Sequence, residues 1–215
     1  MAVSRREILR ALKELREKRV ERNFKQSIDL IVNLKDLDLR RPENRVNLRV
    51  ELPHGTGKER KVCVFAEGDL ALKAREAGVD LILGQDRLRE LSSNRKEAKK
   101  LLTKYDVFLA EAPLMPLVGR VAGPILGPRG RMPTPVPPNA PLEQILERQR
   151  RTVLLRSRDR PLVQCSVGTE DMGDEEIAEN VEAVLSALVG SLRRGAGNIK
   201  SIYLKMTMGP PVRLK

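Results

Sequence analysis

Two stretches of the chain carry an apolar residue at every second position. In SIDLIVNL (27–34) the apolar set is Ile28, Leu30, Val32 and Leu34; in RVNLRVEL (45–52) it is Val46, Leu48, Val50 and Leu52. A period of two predicts half-buried strands, and the turn-rich RRPEN between them predicts an antiparallel, hairpin-like pair. A third alternation closes the chain. Ile202, Leu204, Met206 and Met208 are apolar, whereas Ser201, Tyr203, Lys205 and Thr207 are polar or amphipathic. Gly209, Pro210 and Pro211 interrupt it before Val212 and Leu214 resume. That polar row is either a solvated face ending in a turn or a surface that meets a partner, and alternation by itself does not separate the two.

Helical signals frame these strands. SRRE (4–7) is a capping box, in which the Ser4 hydroxyl bonds the Glu7 amide and Glu7 reaches back. The helix after it carries Ile8, Leu12 and Leu15 on one stripe, with Leu9 beside it. GDEEIAENVEAVLSALVGSL predicts a second helix with Ile177, Val181, Val184, Leu185 and Leu188 inward, and Asp174, Glu175 and Glu176 at the positive end of its dipole. TVLLR and PLVQCSV read as strands.

The middle of the chain follows another pattern. KVCVF (61–65), VDLIL (79–83) and DVFLA (106–110) are short, wholly apolar runs separated by helical segments near 69–77 and 86–103. Buried strands alternating with helices indicate a parallel sheet. After a short helix at PLVGRV, residues 123–141 hold seven of the 14 prolines, a density at which no regular element is expected. The expected fold is therefore α/β with two domains. One discontinuous domain comes from both termini, 1–56 and 151–215, and a parallel α/β domain, 57–150, is inserted between its halves. PHGTGK (53–58) reads as a linker at the crossing, and two linkers side by side make a hinge.

Composition narrows the function. The 215 residues carry a net charge of +12, with an aliphatic core implied by 2% aromatics. Such a balance favours a polyanionic partner, nucleic acid before an anionic membrane. It is spread over both expected domains, +5 in 57–150 and +7 in the remainder. No run approaches a membrane span, and the charged N-terminus does not read as a signal peptide. Cys63 and Cys165 lie alone in apolar runs, which suggests buried thiols in a reducing cytoplasm.

Signals for catalysis are weak. No G-x-G-x-x-G follows the first apolar strand, and GTGKE (55–59) fails as a phosphate loop because Glu59 and Leu52 replace required residues. The sole histidine, His54, has no catalytic partner in sight, so no catalytic residues, metal ligands or cofactor are assigned. Phe24, between the first helix and strand, is either a core plug or a platform for a base.

NFKQSIDLIVNLKDLDLRRPENRVNLRVELPHG, LMPLVGRVAGPILGPRGRMPTP and IKSIYLKMTMGPPVRLK resemble the L-one family of large-subunit ribosomal proteins, the protein of the mobile stalk, over nearly the whole chain. SVGTEDMGDEEIAENVEAVL resembles its domain I helix, in an archaeal style. The resemblance implies the same two-domain fold, with a discontinuous α+β domain I from both termini and an inserted Rossmann-like parallel α/β domain II, and a monomer within the cytoplasmic ribosome. It implies binding to large-subunit rRNA near the tRNA exit site, assistance to the release of deacylated tRNA, and repression of translation through its own mRNA. The RNA surface it implies comprises Phe24, Ser27 and Asp29 with Ser201, Thr207, Met208 and Gly209. Lys25, Lys200 and Tyr203 stand beside these, and Gly127, Arg129 and Gly130 form a glycine-rich loop that approaches rRNA. Where the family often has Thr and Glu, this chain has Ser27 and Asp29, which shortens the reach. Exposed hydroxyls would read 2′-hydroxyls and base edges, Gly209 would let the RNA backbone approach, and the Met208 side chain would pack while its backbone serves RNA. The rival readings are a nucleotide-dependent α/β enzyme and an adaptor for protein partners.

Overall fold

The computed structural model describes residues 3–138 and 140–215. In chain order its elements are α1 (Arg5–Glu17), β1 (Ser27–Leu34), β2 (Asn47–Glu51), β3 (Val62–Phe65), α2 (Gly68–Glu76), β4 (Leu81–Leu83), α3 (Gln85–Ser93), α4 (Arg95–Leu102) and β5 (Val107–Glu111). There follow α5 (Met115–Val121), α6 (Gly123–Leu126), β6 (Thr134–Val136), α7 (Leu142–Arg151), β7 (Thr152–Arg156), β8 (Leu162–Thr169), α8 (Asp174–Ser191), β9 (Ile199–Met206) and β10 (Pro211–Arg213). The chain divides into two compact units, Met1–Lys58 with Arg151–Lys215, and Glu59–Arg150.

In the first unit a four-stranded antiparallel sheet runs in the order β10-β9-β1-β8. Ile28, Leu30, Val32 and Leu34 point to its covered face, where they meet Leu12 and Leu15 of α1 and Val181, Val184 and Leu188 of α8 in one buried cluster. The capping box starts α1 as expected: the Glu7 amide donates to Ser4 Oγ, and the Ser4 amide donates to Glu7 Oε2 at 2.7 Å.

The expected β1–β2 hairpin does not form. Both edges of β1 are taken, by β8 and β9, so β2 pairs instead with β7 in a two-stranded antiparallel ribbon. Its register sets Glu51 opposite Thr152, which brings the points where the chain leaves and re-enters this unit side by side. Nor is 53–58 a free linker. Gly55 and Gly57 adopt φ of +64° and +67°, Thr56 is buried, and a Cβ on Gly57 would lie 2.5 Å from Thr169 Oγ1. Asn180 of α8, itself fully buried, donates to Gly55 O and Val167 O and accepts from the His54 amide.

The second unit holds a parallel sheet in the order β4-β3-β5-β6. Helices cover both faces: Leu88, Leu91, Val118 and Leu126 lie in one cluster with Phe65, and Leu70, Leu142 and Leu146 in another with Val64. Three expectations are corrected here. The single helix at 86–103 is two, because Asn94 leaves helical geometry and its Oδ1 accepts from the Glu97 amide to cap α4. The proline-rich 123–141 contains α6 and the edge strand β6; Pro135 is tolerated because an edge strand needs only one side's donors. Finally, α7 went unassigned in the sequence, although Leu142 and Leu146 stand one helical turn apart and are buried.

Candidate RNA interface

Because β1 and β9 are antiparallel, the start of β1 lies beside the end of β9. The Thr207 amide donates to Ser27 O at 3.1 Å, and the Ser27 amide donates to Thr207 Oγ1 at 3.1 Å. Along the uncovered face the registers build two cross-strand rows. Pro211, Lys205, Asp29 and Ser166 form one; Arg213, Tyr203, Ile31 and Gln164 form the other. The covered row between them is Val212, Leu204, Leu30 and Cys165. Asp29, Tyr203, Lys205 and Thr207 therefore share one surface, as their alternation requires. At the far end of β9, Ser201 stands opposite Asn33 and Leu34 opposite Ile199, so Lys200 is the extra residue of a bulge and is exposed.

Several assigned residues do something other than expected. Ser27 and Ser201 are buried, not open to water, and Ser201 Oγ accepts from Asn33 Nδ2 at 2.9 Å. Thr207 is exposed, yet its hydroxyl already serves the Ser27 backbone. The division of labour expected at Met208 is reversed: the side chain is 53% exposed, and the backbone N–H is spent inside the protein on Gln26 Oε1 at 3.2 Å. Gly209 is buried in the turn, and a Cβ there would press on Met206 Cβ at 3.3 Å. That contact is tight enough to disfavour a side chain at this position. Lys25 is paired with Asp171 at 2.7 Å. Phe24, 50% exposed and outside the core cluster, is not a plug.

Sequence reasoning missed Gln164, Ser166 and Arg213. The first two are the polar positions of PLVQCSV and were legible as its outward face. Arg213 could be placed only once β10 was known to fold back on β9.

Burial pushes the Asp29 carboxyl above its ordinary range, against the pull of Lys58 and Lys205. The sign follows directly: the folded state holds the Asp29 proton more readily than the unfolded chain. Stability is therefore lost as pH rises from the unfolded value, about 3.9, through the higher folded value, and the deficit persists at neutral pH. Asp29→Asn is expected to leave the free protein as stable or more stable at pH 7, with the gain shrinking below about pH 4. Thermal melts at the two pH values check this, and a lower Tm for the variant at pH 7 contradicts it. Burial also pushes the thiols of Cys63 and Cys165 up to about 12, which makes both poor nucleophiles near neutrality.

In the second unit, Gly127, Arg129 and Gly130 form a tight turn after α6. The Gly127 amide donates to Gly123 O at 2.8 Å, Gly130 has φ +72°, and Arg129 is exposed. An open crevice of about 310 Å³ lies elsewhere in this unit, at the C-terminal ends of β3 and β5, where a Rossmann-like sheet would hold a nucleotide. Its lining is acidic, with Glu67, Asp69 and Glu111. Two of these carboxylates also accept from backbone donors nearby. Glu111 Oε2 accepts from the Glu67 amide and Glu67 Oε1 from the Gln85 amide. Among the described residues no group of three or more His, Cys, Asp or Glu could hold a metal, and no helix is long and apolar enough to cross a membrane.

Fold and surface together define a class: a basic α/β protein with one unit inserted into another and an open polar sheet face. The sequence profile of the Ribosomal protein L1p/L10e family matches residues 12–210. The chain is 52% identical over 213 residues to "Large ribosomal subunit protein uL1" of Methanothermococcus thermolithotrophicus, covering 99% of this chain and 100% of the relative. Proteins of the same name from Methanothermobacter thermautotrophicus (52% over 208 residues, 97% and 98%) and Pyrococcus horikoshii (50% over 216 residues, 100% and 98%) are comparably similar. The chain belongs to the Ribosomal protein L1p/L10e family, in an archaeal-like form. It is a family of ribosomal proteins, not of enzymes.

Proposed function

We propose that this chain is a cytoplasmic constituent of the large ribosomal subunit that binds large-subunit rRNA through the edge where β1 begins and β9 ends. The carrying observation is the combination found there: exposed Phe24 and Met208, the exposed Thr207, and the row of Lys205, Asp29 and Ser166 on one uncovered face. A base or ribose stacks on Phe24; Lys205, Lys200 and Arg213 meet phosphates; polar groups of fixed geometry meet 2′-hydroxyls. Gly127, Arg129 and Gly130 supply a further contact from the inserted unit. In the assembled ribosome the protein sits on the mobile stalk and assists the release of deacylated tRNA. Its own mRNA, carrying a mimic of the rRNA element, competes for the same edge, so excess free protein represses translation.

Filter binding with a stalk rRNA fragment tests this reading. The full chain is expected to prefer the fragment to random RNA, with a log–log salt slope of roughly −0.7 to −0.9 per phosphate contacted. Phe24→Ala is expected to weaken binding by about 1–3 kcal/mol, roughly five- to 150-fold, the range for a base stacked on an aromatic. Its stability should move by less than about 0.5 kcal/mol, because the ring is half exposed. Equal affinity for random RNA, or an unaffected Phe24→Ala variant, would return this edge to a solvated face.

A further inference from the structure

We infer that Gln26 is the positioning residue of this interface: a buried amide that locks three separate chain segments into the one edge offered to RNA. The inference rests on the RNA reading above and adds to it the device that holds the edge in shape.

Gln26 is fully buried, the only side chain of NFKQS so placed apart from the small Ser27. Its side-chain Nε2 donates to Val20 O at 2.8 Å, on the stretch that leaves α1. Its Oε1 accepts from the Met208 amide at 3.2 Å, in the turn that leaves β9. Its main chain clasps the β8–α8 turn: the Gln26 amide donates to Glu170 Oε1 at 3.0 Å, and the Glu170 amide donates to Gln26 O at 3.1 Å. The amide orientation is fixed by this pattern, since reversing it would set two donors against each other at Met208 and two acceptors at Val20.

Glu170 is held in turn. Its carboxylate pairs with Arg19 Nε at 3.3 Å, and its carbonyl accepts from Arg16 Nη1 at 2.9 Å. Arg16 also donates to Met172 O and to Asp174 Oδ1, both at 2.6 Å. The clamp therefore reaches from the last turn of α1 to the first turn of α8.

Its product is visible at the surface. Val20, Phe24 and Met208 are three of the five exposed large apolar side chains among the described residues. Two of them, Val20 and Met208, are bonded to the Gln26 amide through their main chains, and Phe24 stands two residues before it. An apolar side chain in water stays where it is needed only if its backbone is fixed, and Gln26 fixes it. A partner then meets an edge already ordered, and less ordering is charged against binding. Gln26 acts through these neighbours and does not itself reach the surface.

The experiment uses the full chain and the stalk rRNA fragment. Gln26→Met keeps the length and removes both side-chain bonds; Gln26→Glu keeps an acceptor for the Met208 amide and loses the donor to Val20. Gln26→Met is expected to weaken binding to the fragment by about tenfold to a hundredfold while affinity for random RNA and the salt slope stay unchanged. Gln26→Glu should fall between it and the parent. Val184→Ala, a core truncation on α8, controls for lost stability: at equal or greater loss of Tm it should bind normally. If Gln26→Met, shown folded by its far-UV spectrum, binds within twofold of the parent, or if Val184→Ala loses as much as Gln26→Met, the inference is overturned. Amide hydrogen exchange in the free protein reads the clamp without RNA. Protection of the Met208 amide should be lost in Gln26→Met, and its retention also overturns the inference. If the parent chain itself shows no preference for the fragment, the RNA reading has failed, and the exchange arm still decides whether Gln26 holds the edge.

Discussion

Residues 1–58 joined through a short linker to 151–215 are expected to bind the stalk rRNA fragment within about tenfold of the full chain, 1.4 kcal/mol, whereas residues 59–150 alone lose it by about a thousandfold or more. The first expectation rests on two facts about the first unit. Its core cluster draws every residue from outside 59–150, so removing the insert removes none of it. The cut at 151 lies beside Leu52, whose amide donates to Arg151 O at 3.0 Å, and Glu51 pairs with Thr152, so a linker has only to bring the chain back from Lys58. A short linker closes that gap at little entropic cost. The second expectation follows from what 59–150 carries: a positive surface and the Arg129 turn, but neither the β1–β9 edge nor Phe24. Such a piece should retain salt-sensitive, unselective binding. Filter binding of both pieces beside the full chain decides it. A joined piece that folds cooperatively yet binds more than tenfold weaker moves the site away from the β1–β9 edge.

Asn180→Leu should be the most damaging single change to the fold of the first unit. The parent side chain is fully buried and saturated: it donates at 2.8 Å to both Gly55 O and Val167 O and accepts at 3.1 Å from the His54 amide. Leucine fills a similar volume and leaves these three backbone groups without their partner. Each buried group so stranded costs about 1–3 kcal/mol, and relaxation makes the total less than additive, so about 3–5 kcal/mol and a Tm drop on the order of 10 °C are expected. His54→Ala provides the contrast. The ring's bond to Glu179 Oε2, at 2.6 Å, joins two solvent-exposed groups and should contribute little beside the buried Asn180 network. Calorimetry on the two variants tests the contrast, and a Tm shift of less than about 2 °C for Asn180→Leu would contradict the account.

Secondary structure was legible in most elements that bury one face, although α7, with Leu142 and Leu146 buried, was not read. The alternation at 27–34 and 202–206 and the stripe of α1 lie where periodicity put them, because burial of one face imposes a period of 2 or 3.6, whereas β3, β4 and β5 show as short apolar runs because a parallel sheet is covered on both faces. Elements shaped by backbone chemistry were harder to see. Asn94 broke a helix through a cap that looks like any polar residue in a helical run, and β6 hid among prolines because an edge strand tolerates them. The candidate site could be named in the sequence as a list of residues, but where each side chain is spent could not. Resemblance singled out Phe24, Thr207 and Met208, and the structure exposes all three. That Ser201 is spent on Asn33, Thr207 Oγ1 on Ser27 and the Met208 amide on Gln26 depends on pairings across 168, 180 and 182 residues of chain, respectively.

What this sequence determined by itself is local: which residues face inward, where α1 and α8 begin, that the middle of the chain is built differently from its ends, and that its charge suits a polyanion. Each follows from a residue and its near neighbours, where solvent exclusion and capping act. The tertiary structure alone decided which strand lies beside which. β1 could have paired with β2, close in sequence and matched in pattern. It lies instead between β8 and β9, because a central strand with both edges occupied buries its apolar face under α1 and α8 and finds ladder partners on both sides. That choice carries the start of the chain to its end and makes a single edge out of residues 24–29 and 205–209.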